Sequence, residues 1–199
     1  MHRQIRRATL GLCSLALALP SNLFTAESGA RAYANIPVGL NVLQLLYRNS
    51  ERNDQLQITS DVGILRYMRT MNVMGKIAII GGYLPYGEVK LSIPAIAYTT
   101  SASGMGDPTL IVGMDFIGAP ALNKDELKTY DQNLIVGGSL QVTMPFGNYH
   151  SYSSVNISSN QWVAKPEIAI SKALGDFQLE VYGNAYIYSD NEQYLGTNH

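Results

Sequence analysis

The sequence predicts an all-β protein, an antiparallel transmembrane β-barrel laid out as an up-and-down meander and incomplete in this chain. Three observations lead there. The first is a two-residue period. Leu134, Val136, Gly138, Leu140, Val142 and Met144 alternate with Ile135, Gly137, Ser139, Gln141 and Thr143, and side chains that alternate between two faces mark a strand. Phe177, Leu179, Val181, Gly183, Ala185 and Ile187 alternate likewise with Gln178, Glu180, Tyr182, Asn184, Tyr186 and Tyr188. So do Trp162, Ala164, Pro166, Ile168 and Ile170 with Gln161, Val163, Lys165, Glu167, Ala169 and Ser171. The second observation is the chemistry of the faces. One is uncharged and the other carries Gln, Glu, Lys and Tyr, as a strand between lipid and a wet lumen requires. On this stretch alone, a soluble sandwich with one face on a core alternates equally well. The third is composition: charged residues make up 15 % of the chain, against roughly 25 % in soluble domains.

At 199 residues the chain is long enough for one domain with a sizeable core. Net charge is −1 and no basic stripe offers itself, so nucleic acid is not an expected partner. Met1–Ala30 reads as a signal peptide: Arg3, Arg6 and Arg7, an apolar run from Ala8 to Leu19, then Pro20 and small residues, with cleavage after Ala26 or Ala30. The apolar run is too short to span a bilayer as a helix, and no later segment approaches eighteen or so apolar residues. A membrane form would therefore cross as strands, over residues 31–199. Cys13 is the one cysteine, so the exported chain would carry neither disulfides nor thiolate chemistry.

The first strand is expected over Ile36–Tyr47, mostly apolar and loosely alternating, and Arg48–Gln55 (RNSERNDQ) reads as a solvated loop. A second strand over Leu56–Thr70 puts Arg66 on the side of Val62, Ile64 and Met68. Arg66 is therefore expected near a strand end, where its stem reaches water. Met71–Gly75 reads as a turn, Lys76–Leu84 as the third strand and Val89–Tyr98 as the fourth, with Pro85, Tyr86 and Gly87 turning between them. Thr99–Pro108 is a small-residue turn region. In the fifth strand, Thr109–Ile117, Leu110, Val112, Met114 and Phe116 oppose Thr109, Ile111, Gly113 and Asp115, which aims Asp115 at the lumen. A short helix is expected from Asn123, capped by that side chain, with Asp125 and Glu126 in its first turn.

Strand six is Leu134–Met144, Pro145–Asn160 is a long loop, and strands seven and eight flank a tight turn at Ala173–Asp176. One conflict stands out. Long and short connections should alternate between the rims of a barrel, yet the loops after strands five and six are both long. One strand is therefore miscounted, in the 76–98 region. After Tyr188 the chain offers no closing strand ending in an aromatic residue, so the closing strands are expected to be missing.

Several spaced blocks carry a resemblance. GMGDPTL (Gly104–Leu110), GAPAL (Gly118–Leu122), GGSLQVTMPFGNY (Gly137–Tyr149) and NISSNQWVAKPEIAIS (Asn156–Ser171) occur in order, after ARAYANIPVGLN (Ala30–Asn41). Together they resemble the outer-membrane family named for the meta-pathway of phenol degradation, over almost the whole chain beyond the leader. The resemblance implies a bacterial outer-membrane barrel that transports aromatic or other hydrophobic compounds, with outer-membrane lipid and a small solute as partners. Pro145-Phe146-Gly147 stands where the family tends to have Pro-Thr-Gly. The family supplies no agreed catalytic or binding residues to carry over.

The residues offer little chemistry. His2, His150 and His199 are scattered and build no zinc site, Gly104-Met105-Gly106 lacks the third glycine of a dinucleotide loop, and no GxSxG elbow occurs. No cofactor is expected. The functional candidates are the lumen-facing row Asp115, Gln141, Lys165, Glu167, Gln178, Glu180, Tyr182 and Tyr186. Against a role in solute passage stands a simpler role, in which Lys165, Glu167 and Glu180 neutralise one another and fill a narrow barrel. A passive channel is the leading function. A rim enzyme acting on lipid through His150 and a soluble periplasmic β-protein are the alternatives, and oligomeric state is open.

Overall fold

The alternation resolves into eight strands in the computed structural model, which describes residues 8–10, 14–15, 35–53, 56–175 and 177–193. They are β1 (Asn41–Asn53), β2 (Gln57–Val73), β3 (Lys76–Ile93), β4 (Tyr98–Met105), β5 (Thr109–Ile117), β6 (Leu134–Thr143), β7 (Val163–Leu174) and β8 (Phe177–Tyr188). Pairing is antiparallel throughout, in the order β8-β7-β6-β5-β3-β2-β1 with β4 also on β3, and the sheet curls through 203° into a half-barrel. The leader expected over Met1–Ala30 lies outside the described residues, apart from Ala8–Leu10 and Ser14–Leu15, which pair antiparallel with β8. Tyr194–His199 also lie outside them.

The region 76–98 departs from expectation. β3 runs straight through Pro85, Tyr86 and Gly87, where a turn was expected, and the turn comes at Pro94–Ile96 instead. Thr99–Met105, expected within a turn region, is strand. β4 pairs with Tyr86–Ile93 and β5 with Ala78–Tyr83, so the two form one stave on the same edge of β3, interrupted at residues 106–108. The physical reason lies at Pro85. A proline in mid-ladder loses a hydrogen bond, but the carbonyl of Pro85 accepts from Gly106 N at 2.9 Å. In an antiparallel strand the N–H and C=O of a residue point the same way. The missing N–H of Pro85 therefore faces the interruption, where no ladder bond is lost. β1 likewise continues through Arg48–Asn53, expected as loop, because each residue there finds a partner on β2, from Arg48 opposite Val62 to Asn53 opposite Gln57.

With β4 and β5 merged, the β1–β2, β3–β4 and β6–β7 connections share one rim, and the β2–β3, β5–β6 and β7–β8 connections share the other. The long β5–β6 connection is folded against the chain that enters β1. Val38 N donates to Leu122 O at 2.9 Å, Ile77 N to Ala119 O at 3.2 Å and Ala121 N to Gly75 O at 3.0 Å. Ile77, Ala119, Ile135, Ala169 and Tyr182 form a buried cluster there, with Val38 packed on it. The expected helix is one turn, α1 (Lys124–Leu127). Asn123 Oδ1 accepts from Asp125 N and Glu126 N, while Asn123 N donates to Glu126 Oε2 at 2.8 Å. This reciprocal box satisfies donors that a helix start leaves unpaired.

Arg66 also departs from expectation. It lies midway along β2, opposite Gln44 on β1 and Tyr83 on β3. It shares the concave face with Val62, Ile64 and Met68, while Gly63, Leu65 and Tyr67 take the convex one. Both faces of β2 mix apolar and polar residues, so apolar residues beside Arg66 did not mark the lipid side. Facing inward, the guanidinium has no hydrocarbon to escape.

Gly118, at the exit of β5, has φ +75°. A Cβ there would sit 1.5 Å from Leu134 O. Gly118→Ala is expected to destabilise the sheet by about 1–3 kcal/mol, read as a lower temperature for conversion of the folded to the unfolded band on a gel. An unchanged conversion temperature would contradict this packing.

Candidate functional site: the concave wall

Burial alternates along β5 to β8. Thr109, Ile111 and Asp115 are buried while Leu110, Val112 and Phe116 are exposed, and on β7 Lys165, Glu167, Ala169 and Ser171 are buried while Ile168 and Ile170 are exposed. The concave face is thus the polar one. All eight residues singled out from the sequence share it: Asp115, Lys165, Glu167, Glu180 and Tyr182 are buried, and Gln141, Gln178 and Tyr186 are half-buried.

Strand register brings most of them together in rows that cross the sheet. Ile111, Gln141 and Lys165 form one row, and Gly113, Ser139, Glu167 and Asn184 the next. Asp115, Gly137, Ala169 and Tyr182 follow, with Gly137 and Ala169 leaving room between the carboxylate and the phenol. Ile135, Ser171 and Glu180 complete the set. Two residues apart on one face, Lys165 Nζ and Glu167 Oε2 approach to 3.3 Å with side chains 3 % and 1 % exposed. Asn184 Nδ2 donates to the same carboxylate oxygen at 3.4 Å, Lys165 Nζ lies 5.5 Å from the centre of the Tyr186 ring, and Gln178 Nε2 donates to Ser171 Oγ at 2.6 Å. This part of the wall is a linked polar cluster.

Ser139, Ser171, Asn184, Arg66 and Tyr83 were not among the candidates. For the first three, parity was the available signal, since they alternate in step with Gln141, Glu167 and Glu180. Arg66 and Tyr83 were hidden by the apolar character of their neighbours. The wall contributed by β1 to β3 is mainly apolar, with Leu46, Val62, Ile64, Met68, Ile79, Pro85 and Val89 on the concave parity.

Another missed residue organises the first rim. Asp107, in the interruption between β4 and β5, accepts from Gly147 N at 3.1 Å and Ser158 Oγ at 2.6 Å through Oδ1. Through Oδ2 it accepts from Ser159 N at 2.7 Å and Ser159 Oγ at 2.8 Å. Beside it, Met105 N donates to Asn148 Oδ1 and Asn148 N to Met105 O, both at 2.7 Å. One carboxylate thus pins both ends of the loop 144–162. Within that loop Asn156 brackets the backbone of His150, accepting from its N–H at 2.7 Å and donating to its carbonyl at 3.0 Å. These bonds shape the loop and do not engage the imidazole.

The convex face is apolar and exposed: Leu43 71 %, Leu45 81 %, Leu65 47 % and Ile168 57 %. On β2 the convex charges Asp61 and Arg69 lie eight residues apart. That is about 27 Å along a strand and about 20 Å in height at a tilt of about 40°, close to the roughly 25 Å band of an outer-membrane barrel. Tyr47 and Tyr86 flank Gly63 in one cross-strand row beside Asp61, and Phe146 and Trp162 pack edge-on at 5.8 Å near the same rim. Among the described residues no group of three or more His, Cys, Asp or Glu could hold a metal ion, and no helix is long and apolar enough to cross a membrane.

Two substitutions test this wall. Removing one member of a buried ion pair strands the other, so Lys165→Met alone is expected to destabilise the fold by about 3–5 kcal/mol, and the double change Lys165→Met with Glu167→Leu to restore most of it. Urea unfolding followed by tyrosine fluorescence reads both. Asp107→Ala removes the acceptor of four hydrogen bonds, two to backbone and two to hydroxyls. It is expected to cost about 2–4 kcal/mol and to expose the 144–162 loop to limited proteolysis, leaving the strands protected.

The family described as "Putative MetA-pathway of phenol degradation" matches residues 33–198. No curated protein matches the chain. Among solved structures the chain is similar to the crystal structure of an outer membrane channel from Pseudomonas putida F1, at 28 % identity and a TM-score of 0.64, covering 84 % of this chain and 63 % of that one. The chain thus spans less than two thirds of that channel's length. With the match running from before β1 to beyond β8, the chain belongs to the phenol-degradation MetA-pathway family.

Proposed function

We propose that the chain forms wall of an outer-membrane channel in a bacterium, through which small apolar or aromatic compounds pass down their gradient without covalent change. One observation carries this reading: large apolar side chains are exposed on the convex face while charged ones are buried on the concave face. A soluble sheet protein has the reverse arrangement, with its apolar face covered. Family membership and the likeness to an outer membrane channel support it. Lipid is then the partner outside and the solute the partner inside. The polar cluster from Asp115 to Tyr186 lines one side of the passage, with Gln141, Lys165, Glu167, Gln178, Glu180 and Tyr182. The apolar sector of β1 to β3 lines the other and favours solutes with an apolar body.

The test is fractionation, a gel of boiled and unboiled samples, and solute entry into proteoliposomes. The protein is expected to need detergent for extraction, to migrate differently after boiling, and to admit small aromatic compounds. Recovery in the aqueous fraction would end the membrane reading, and impermeable liposomes would end the channel reading. Leu140→Arg, on the convex face, is expected to destabilise the inserted sheet by about 2–4 kcal/mol, and Gln141→Arg, one residue away on the concave face, by much less.

A further inference from the structure

A polar row crosses the middle of the apolar sector of the concave wall, apart from Arg48, Ser50, Arg52 and Ser60, which share the same parity nearer the first rim. Gln44, Arg66, Tyr83, Thr109 and Thr143 stand opposite one another on β1, β2, β3, β5 and β6, and the row ends in a 2.8 Å bond between the two threonine hydroxyls. The inward row on the side of the first rim is Leu46, Ile64 and Pro85, and on the other side it is Val42, Met68, Gly81 and Ile111. On β1 to β3 the polar row is thus a single residue wide between two apolar ones, the second of which continues beyond Ile111 into Gln141 and Lys165.

Arg66 is the second residue of that row, between Gln44 and Tyr83. Its Nε is buried and has no hydrogen-bond partner. A guanidinium is permanently charged and carries five donors in a planar fork, and a buried donor left unfilled is costly. Lys165 differs, being matched by Glu167 at 3.3 Å. Arg66 lies on the concave face with a phenol and an amide across the ladder and apolar side chains above and below, and the terminal nitrogens of its guanidinium, beyond the buried Nε, fit a carboxylate on an apolar body. The two oxygens meet the fork, and the body lies over Ile64, Pro85 and Met68.

We propose that Arg66, flanked by Gln44 and Tyr83, is a carboxylate-binding station that makes organic acids with an apolar body the preferred solutes. This deepens the channel reading and rests on it. The test is calorimetric titration of the detergent-solubilised protein with sodium benzoate, with benzyl alcohol as the uncharged counterpart, for wild type, Arg66→Gln, Arg66→Lys and Tyr83→Phe. Wild type is expected to bind benzoate. Arg66→Gln should weaken that binding roughly tenfold, and Arg66→Lys should fall between, because an ammonium keeps the charge and loses the fork. Tyr83→Phe should lose about twofold to fivefold. In liposomes the ratio of benzoate to benzyl alcohol entry should fall with Arg66→Gln by a similar factor.

Wild-type protein that does not bind benzoate overturns the station. Equal benzoate affinity in wild type and the Arg66 variants overturns it too. If Arg66→Gln loses the heat-dependent gel shift, Arg66→Lys and Tyr83→Phe decide, and unchanged affinity in both counts against it. Benzoate binding that depends on Arg66, in a protein that leaves liposomes impermeable, keeps the station and removes the channel reading.

Discussion

Hydrocarbon offers no hydrogen bonds, so a chain that crosses it in strands must pair its backbone polar groups with the next strand. That requirement organises this half-barrel. It explains why β3 stays unbroken from Lys76 to Ile93 and why its edge is shared by β4 and β5, with the interruption at residues 106–108 facing the donor that Pro85 lacks. Pro166 is accommodated differently, inside a continuous register. The β7–β8 register runs from Phe177 opposite Leu174 to Asn184 opposite Glu167, then resumes at Ile187 opposite Ala164, and Pro166 falls in the gap. Pro85 is placed beside an existing interruption, whereas at Pro166 the ladder skips two pairs without changing register.

Once the backbone is satisfied, side chains are free to reverse the usual order of polarity. Apolar residues go outward in bulk, and the inside carries charge that must be matched or wetted. On β5 to β8 it is matched in part, through Lys165 and Glu167 with Asn184 and Tyr186 around them. The two rims are held differently. At one, the Gly118–Leu122 segment bonds through its backbone to Val38, ahead of β1, and to Gly75 and Ile77 at the β2–β3 turn, with Ala119 completely buried. At the other, Asp107 gathers Gly147, Ser158 and Ser159. The sequence blocks that carried the family resemblance meet at these two places, which gives them a physical reason to occur together.

Legibility followed chemical contrast between faces. On β5 to β8 one face is apolar and the other holds Asp115, Gln141, Lys165, Glu167, Glu180 and Tyr182, so period and side were both readable, and the capping box at Asn123 was readable from four adjacent residues. On β2 both faces mix apolar and polar residues, and Arg66 was assigned to the wrong surroundings. Asp107 read as part of a turn because its partners lie 40 to 52 residues away. The strand boundary went wrong at Pro85 because whether a proline ends a strand depends on what lies across the ladder from it.

The sequence by itself determined the class of fold, the direction of most side chains and the position of the short helix. Each depends on neighbours within a few residues, through alternation and capping. The tertiary structure alone decided the seven-stave register, the inward setting of Arg66 beside Gln44 and Tyr83, the Lys165–Glu167 contact and the anchoring of the rim loop on Asp107. Those depend on which strand lies beside which and in what register, and a one-residue slip would turn every one of these side chains to the other face.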